Sequence, residues 1–166
     1  MTIREKAAMM KMDSSKMAST DITVRNAALE KIAESLLAGK ERIFEANAKD
    51  MERAQADNIS PAVIKRLKFS EAKLSDAIAG IHNLIALPDP LFQIQLKRQL
   101  DEGLTLIRET CPIGVIGVIF EARPDAMVQI ASLCIKSGNC AILKGGSETR
   151  ETNKLLFELI YEAALS

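Results

Sequence analysis

The sequence predicts an α/β protein made of N-terminal helices, a β-hairpin and a β-α-β-α segment. Apolar residues recur at helical spacing as far as about residue 87. After Pro88 and Pro90 the apolar period shortens to two, which is typical of strands. Two short apolar runs near the end of the chain are separated by a helical stretch, which indicates parallel strands joined by a helix. We therefore divide the chain into residues 1–90, 91–111 and 112–166.

The composition is that of a soluble globular domain. The chain has 166 residues, 48% of them hydrophobic and 27% charged, which is enough to bury a core. Its 22 basic and 22 acidic residues leave no net charge to attract nucleic acid or an anionic membrane. No apolar run is long enough to span a bilayer, and charges interrupt the first residues, so we expect a cytoplasmic protein.

One helix is predicted by an apolar stripe that ends at Gly39. The stripe consists of Val24, Ala28, Leu29, Ile32, Ala33, Leu36 and Leu37. A methionine-rich segment precedes it, whose side chains we expect to pack in a helix, with a partner-binding surface as the alternative. These methionines are Met9, Met10, Met12 and Met17.

Three further helices are predicted before the prolines. The first runs through Ile43 to Met51, and Ser60-Pro61 starts a short second one, with serine as the cap and proline in the first turn. Ser70 begins the third, whose apolar face consists of Leu74, Ile78, Ile81, Leu84 and Ile85. His82 lies beside this face, where a packed or solvated histidine is commoner than a catalytic one.

The strands follow. Residues 92–96 alternate between apolar and polar, residues 101–103 form a turn, and the chain returns from Leu104 as the second strand of a hairpin. Residues 113–120 are apolar on both faces, as expected of a buried strand in a parallel sheet. A helix over 126–137, a strand over 140–144 and a helix over 150–165 complete the order. Two parallel strands are too few for an independent sheet, so we expect another chain or a longer protein to complete it.

Two loops are candidate ligand sites. Residues 120–124 and 144–147 each follow a predicted parallel strand, and ligands of open α/β sheets lie beyond the carboxyl ends of strands. Glycines after Lys144 would let a ligand approach closely, and the lysine suits a phosphate. A turn whose lysine only meets solvent is the alternative. Gly114 and Gly117 resemble a dinucleotide fingerprint less well, because they lie within the strand and no third glycine follows.

Longer runs of sequence resemble a known family. The segments PIGVIGVIFEARP (112–124), SLCIKSGN (132–139) and AILKGGSE (141–148) closely resemble gamma-glutamyl phosphate reductases, also called glutamate-5-semialdehyde dehydrogenases. EANAKD (45–50) agrees as well. The resemblance covers nearly all of this chain but less than half of the family's usual length.

This resemblance implies an aldehyde dehydrogenase-like fold of Rossmann type, of which residues 112–166 would be the first part of the NADP-binding domain. It also implies reduction of L-glutamyl 5-phosphate by NADPH to glutamate 5-semialdehyde and phosphate, a step of proline biosynthesis. In the family a cysteine thiolate attacks the acyl phosphate and the thioester then accepts hydride. That cysteine is expected beyond Ser166, so we assign no catalytic residue here. Cys111, Cys134 and Cys140 have no nearby histidine or basic cluster in the sequence to lower their pKa.

The resemblance also assigns binding residues for NADP(H). Lys144 should meet the adenosine ribose and its 2′-phosphate, and Ser147 stands where NAD-preferring relatives often carry a glutamate that would repel this phosphate. Glu148 is expected either to cap the following helix or to contact the ligand. The full set of predicted cofactor-binding residues is Ile119, Phe120, Glu121, Lys144, Gly145, Gly146, Ser147 and Glu148.

The resemblance also makes Arg123 the predicted substrate-binding residue, since a guanidinium can bind an acyl phosphate through two hydrogen bonds. The alternative is a salt bridge to Glu121 or Asp125. We expect no metal, and we expect a homo-oligomer formed through the exposed hairpin edge. Two other functions stay open: a non-catalytic fragment that binds nucleotide or oligomerises, and a phosphotransferase, suggested only by Ala141 to Lys144 and lacking the further kinase motifs.

Overall fold

The structure is a computed structural model that describes residues 2–166. Helices and strands follow one another in the predicted order. The helices are α1 (Ile3–Ala18), α2 (Ile22–Ala38), α3 (Lys40–Ala56), α4 (Pro61–Leu67), α5 (Glu71–Ala86), α6 (Pro124–Lys136) and α7 (Arg150–Leu165). The strands are β1 (Ile94–Asp101), β2 (Leu104–Glu109), β3 (Val115–Ile119) and β4 (Cys140–Lys144), and a 3₁₀ turn covers Ser147–Thr149.

Helix α2 is the centre of the core. Its side chains at Leu29, Ile32 and Leu36 are fully buried, and they pack with α5, α6 and α7. The predicted helix is confirmed and ends before Gly39, and two residues of its apolar stripe, Val24 and Leu37, are exposed. These two positions lie where the packed face meets solvent, and an apolar side chain there is common on protein surfaces.

Helix α1 forms as predicted, but it packs loosely. No residue of α1 is buried. The packing predicted for its methionines is wrong for Met9 and Met12, which are exposed, whereas Met10 and Met17 are half-buried and line an apolar cavity of about 490 Å³ beside α6, α7 and β4.

The starts of α4 and α5 follow the sequence signals in part. Pro61 occupies the first turn of α4 and Ser60 its N-cap position, as predicted, although the Ser60 side chain makes no cap hydrogen bond. The Ser70 hydroxyl accepts a hydrogen bond of 3.4 Å from the Lys73 amide at the start of α5. His82 is exposed on α5, with Nδ1 at 3.5 Å from the Glu30 carboxylate. This is the solvated one of the two positions, packed or solvated, that we expected.

A buried polar cluster joins α2, α5 and α6. The ammonium of Lys136, at the end of α6, donates to the Asn26 side chain at 3.0 Å and to the carbonyls of Ile85 and Leu87 at 3.1 and 2.7 Å. Arg25 donates to the Lys136 carbonyl and, at 2.7 Å, to the Asp89 carboxylate. Lys136 therefore holds the carboxyl-terminal end of α5, where carbonyls lack partners within the helix.

The hairpin is fully exposed on both faces. Strands β1 and β2 pair antiparallel from Ile94 opposite Glu109 to Asp101 opposite Leu104. Gly103 adopts φ +76°, a left-handed conformation that favours glycine in this tight turn. Every residue of both strands is exposed.

Strands β3 and β4 pair in parallel, with Val115 opposite Cys140 and Ile119 opposite Lys144. The prediction that residues 113–120 form a buried strand is wrong in its extent and burial. The strand begins at Val115, and Ile113 and Ile119 are 80% and 79% exposed. The reason is that β3 and β4 have only each other as neighbours within residues 2–166, so their outer edges stay uncovered.

Residues 2–166 contain neither a membrane-spanning helix nor a metal-binding cluster. No helix within residues 2–166 has the length and hydropathy needed to cross a membrane. In the same residues, no group of three or more histidine, cysteine or acidic side chains is arranged to hold a metal ion.

Candidate functional site

The two predicted loops lie side by side, because β3 and β4 are parallel neighbours that end together. The last hydrogen bond of the pair runs from the Phe120 amide to the Lys144 carbonyl at 3.0 Å. Phe120 and Lys144 are therefore adjacent at the carboxyl end of the strands, where ligands of such sheets bind.

Glu148 connects the two loops. Its Oε1 accepts a hydrogen bond of 2.7 Å from the amide of Ala122. Ala122 is 2% exposed and has φ +50°, in the left-handed region that alanine rarely adopts. The prediction that Glu148 caps α7 is wrong, because the Glu148 carboxylate accepts from Ala122 and makes no cap hydrogen bond at the start of α7. The prediction that Glu148 contacts the ligand stays a prediction.

The carboxylate at the start of α7 comes from α3 instead. Asp50 Oδ1 accepts from the Glu151 amide at 3.1 Å, and Oδ2 accepts from the Thr152 amide and hydroxyl at 2.8 and 2.7 Å. A carboxylate at this end stabilises the helix through its free amides and its dipole. The role of Asp50 was not predicted, because its partner lies 102 residues away along the chain.

The two glycines after Lys144 make room for side chains of this chain. A Cβ atom on Gly145 would clash with the Asn153 amide group, and one on Gly146 would clash with the Glu148 carboxylate. Glycine at both positions thus has a reason within the fold, besides the close ligand approach that we predicted for it.

A cleft of about 460 Å³ lies beside Lys144. The Lys144 side chain is exposed, and its ammonium donates to the carbonyl of Gly145 at 3.1 Å. The cleft is lined by Met127, Leu143, Lys144, Gly145, Gly146, Ser147, Arg150, Asn153, Lys154 and Phe157. The structure therefore brings together four of the predicted cofactor residues, Lys144 to Ser147, next to three further polar side chains.

Asn153 is one of the residues of this cleft that were not predicted from the sequence. It is 8% exposed, and its Nδ2 donates to the Thr149 hydroxyl at 2.7 Å. Its buried Oδ1 has no hydrogen-bond partner among residues 2–166. A buried acceptor without a donor costs about 1–3 kcal/mol, so a ligand that reaches this oxygen with a hydroxyl or amine would remove this cost. The ribose hydroxyls and adenine amine of a nicotinamide dinucleotide fit this requirement.

A second cavity of about 420 Å³ lies on the other side of Ser147. Its lining includes Glu121, Ala122, Ser147, Glu148 and three arginines, Arg53, Arg66 and Arg150. Arg53 is paired with Asp50 and Glu151 at 3.3 and 3.6 Å. Glu121 thus faces a different cavity from Lys144, while Phe120 packs against the core and Ile119 is largely exposed. The predicted cofactor residues do not all line one cleft.

Arg123 is exposed just before α6. Its Nη2 lies 3.6 Å from Asp125 Oδ2, so the salt bridge that we considered as the alternative is present with Asp125. This distance is longer than a good hydrogen bond, which leaves the guanidinium donors available to a ligand. Asp125 is mostly buried, and Lys73 lies 3.8 Å from its other oxygen, which itself has no hydrogen-bond partner among the described residues.

The cysteines give no sign of a nucleophile. Burial raises the pKa of the Cys134 thiol, and neighbouring Cys140 raises it further. Burial also raises the pKa of Cys140, followed by the charge of Asp13. A raised pKa reduces the thiolate fraction at neutral pH, which is the reverse of what a nucleophile needs. Cys111 is exposed.

In sequence, the chain is similar to proteins named gamma-glutamyl phosphate reductase. It is 52% identical to the one from Ruminiclostridium cellulolyticum over 153 residues, which are 92% of this chain and 35% of that protein. It is 51% identical to the one from Acetivibrio thermocellus over 163 residues, which are 98% of this chain and 38% of that protein. The chain thus spans little more than a third of the length of these relatives. No protein-family model matches it.

Solved structures agree with the sequence. The crystal structure of gamma-glutamyl phosphate reductase from Saccharomyces cerevisiae matches 99% of this chain with a TM-score of 0.94 and 34% identity, over 42% of its own length. The one from Thermotoga maritima matches 96% with a TM-score of 0.90 and 32% identity, over 38% of its length.

A more distant structure extends the likeness of fold. Methylmalonate-semialdehyde dehydrogenase from Oceanimonas doudoroffii matches 94% of the chain with a TM-score of 0.71 at 16% identity, over 30% of its length, which shows a shared fold alone. The predicted fold class is confirmed. By sequence and by fold, this chain belongs to the gamma-glutamyl phosphate reductase family and has an aldehyde dehydrogenase-like fold.

Proposed function

We propose that this chain supplies part of the cofactor-binding half of an enzyme that reduces L-glutamyl 5-phosphate with NADPH. The products are L-glutamate 5-semialdehyde and phosphate, in the cytoplasmic synthesis of proline. The single observation that carries the proposal is the cleft beside Lys144, which combines an exposed ammonium with the orphaned acceptor of Asn153. Family membership supports the reaction.

In this proposal Lys144 binds the adenosine ribose and its 2′-phosphate. A lysine ammonium offers three donors to phosphate oxygens, and the Ser147 hydroxyl can donate as well. Asn153 Oδ1 accepts from a ribose hydroxyl or the adenine amine. NADPH, when bound, supplies the hydride for the reduction. The nucleophilic cysteine would come from residues beyond Ser166, so residues 1–166 alone are expected to be inactive.

Arg123 binds the acyl phosphate substrate in the same proposal. Asp125 holds the guanidinium near the start of α6 without using its donors fully. A planar guanidinium can then donate two parallel hydrogen bonds to the phosphate or the carboxylate of the substrate. The partner of this site is a small acyl phosphate, not nucleic acid or a membrane.

The test compares Lys144→Ala with Lys154→Ala in the protein as the cell makes it. Both lysines line the same cleft and carry the same charge. We expect Lys144→Ala to weaken NADPH binding about 10-fold or more, and NADH binding much less, because only NADPH has the 2′-phosphate. Lys154→Ala should change the preference between the two cofactors less. Equal losses of NADPH and NADH affinity in Lys144→Ala would remove the 2′-phosphate assignment.

A second candidate function is a non-catalytic nucleotide-binding or oligomerising fragment. The observation that favours it is the hairpin, whose apolar side chains are exposed on both strands. Such an edge can pair with another copy of the chain. NADPH binding by residues 1–166 without reductase activity, together with an 18.1 kDa native protein in the source cell, would support this candidate.

A further inference from the structure

We propose that Glu148 is a positioning residue that fixes the loop carrying Arg123 against the turn carrying Lys144. The proposal rests on the proposed function, because it assigns cofactor to one loop and substrate to the other. Glu148 then couples the two binding steps without touching either ligand.

The hydrogen bond to Ala122 continues the connection between the loops beyond the end of the sheet. The last bond between the backbones of β3 and β4 is the one from Phe120 to Lys144. Past it, the bond from the Ala122 amide to Glu148 is the one hydrogen bond between the two loops within residues 2–166. Without Glu148, residues 121–123 would have no polar link to the cofactor turn.

The backbone of Ala122 requires such a link. Its φ of +50° is disfavoured for any residue with a Cβ atom, so the surrounding contacts must hold it there. The amide that donates to Glu148 is buried, and a buried amide without a partner is itself unfavourable. Because Arg123 is the next residue, the direction of its side chain depends on the peptide that Glu148 holds.

On the other side, the Glu148 carboxylate lies over the backbone of Gly146. The space that a Cβ atom of Gly146 would fill is occupied by both carboxylate oxygens. Gly146 and Ser147 belong to the turn that follows Lys144, so the same carboxylate lies against the cofactor turn. A carboxylate in contact with the cofactor itself would repel its 2′-phosphate, which favours the positioning role over the ligand contact.

The first test measures the hydrogen bond directly in this chain, without any ligand. Amide hydrogen exchange of Ala122 would be followed by NMR in Glu148→Ala and Glu148→Gln. We expect exchange at Ala122 to be about 10-fold faster or more in Glu148→Ala. It should be slowed again in Glu148→Gln, because glutamine keeps the acceptor oxygen. The amides of Ile32 and Leu36, in the core of α2, should not change. Unchanged exchange at Ala122 in Glu148→Ala would overturn the proposal.

The second test measures catalysis by the protein as the cell makes it, run from glutamate 5-semialdehyde, phosphate and NADP⁺. In Glu148→Ala we expect the KM values for phosphate and for NADP⁺ both to rise, with kcat/KM lowered about 10-fold or more, and Glu148→Gln should recover most of it. A merely structural role would reduce the fraction of folded enzyme and lower kcat at unchanged KM values, and this result would overturn the proposal. A wild-type protein without this activity would instead reject the proposed function, while the exchange test would still decide whether Glu148 holds the loop.

Gly146→Ala provides an independent variant, since its Cβ atom would displace the same carboxylate. It should accelerate exchange at Ala122 as Glu148→Ala does, and combining the two should add little to either alone. Gly80→Ala is the matched control, because nothing lies within 4 Å of a Cβ atom added there. Fully additive effects of Gly146→Ala and Glu148→Ala would contradict the coupling.

Discussion

The Asp50 carboxylate accepts hydrogen bonds from both the amide and the hydroxyl of Thr152, at 2.8 and 2.7 Å. Both residues are buried. Through this pair, α3 fixes the start of α7, the helix that carries Asn153 of the cleft beside Lys144. An element far from the site in sequence thus sets the position of one wall of the cleft.

We therefore expect Asp50→Ala to destabilise the chain by about 3 kcal/mol, because it leaves buried donors at Thr152 without an acceptor. The check is urea-induced unfolding followed by circular dichroism. Glu52→Ala, which removes an exposed carboxylate from the same helix, should change the free energy of unfolding by less than about 0.5 kcal/mol. Similar losses in the two variants would show that the charge of α3 matters and the Thr152 contact does not.

Asp89 should make the stability of the fold depend on pH in the acid range. Burial acts to raise the pKa of this carboxyl, but hydrogen bonds from Arg25 and Leu91 and the charges of Arg25 and Lys136 together hold it below its ordinary value of 3.8. A folded-state pKa below the unfolded one means stabilisation that is present above 3.8 and lost as the pH falls through the folded value.

The matching experiment is Asp89→Asn, with unfolding measured from neutral pH down to about pH 2. At neutral pH the variant should lose about 2 kcal/mol, since Arg25 stays buried with a weaker partner. It should also lose less stability than the wild type between pH 4 and pH 2. Asp57→Asn, at an exposed position, serves as the control. An acid profile that Asp89→Asn leaves unaltered would contradict the assignment.

Local signals predicted the elements well. Strand β4 and helix α7 lie at the predicted residues, 140–144 and 150–165, because an apolar run and an apolar face are properties of neighbouring residues. The prediction of a buried strand over residues 113–120 was wrong in extent and burial, since burial depends on what covers β3 and β4. Sequence patterns carry little information on that.

The sequence predicted the location of the candidate site better than the contacts that form it. Lys144 to Ser147 do line one cleft, but Glu121 lies in another, and Asn153 was missed. The bond from Ala122 to Glu148 spans 26 residues, and its geometry depends on a backbone conformation that no local pattern indicates for alanine. Contacts of this kind arise from tertiary packing.

The glycines of the chain should respond differently to the same substitution. Gly145→Ala forces the Asn153 amide to move, so we expect a loss of about 1–3 kcal/mol and weaker binding of NADPH. Gly80→Ala, in the exposed middle of α5, should stabilise the chain by about 0.5–1 kcal/mol, because alanine has the higher helix propensity and free space around it. Thermal unfolding of the two variants checks both signs. Destabilisation by Gly80→Ala would contradict the free space around position 80 of α5.

The hairpin should carry the self-association that its exposed apolar side chains suggest. Leu106→Asp places a charge among the apolar residues of β2, so we expect it to shift the chain towards 18.1 kDa monomers in sedimentation velocity. Gln99→Asp, on the paired strand opposite Thr105, adds the same charge without removing an apolar side chain and should have the smaller effect. Circular dichroism should show intact strands in both. Equal dissociation by the two variants would indicate general charge repulsion. A wild-type chain that sediments as a monomer at all concentrations would contradict association through the hairpin.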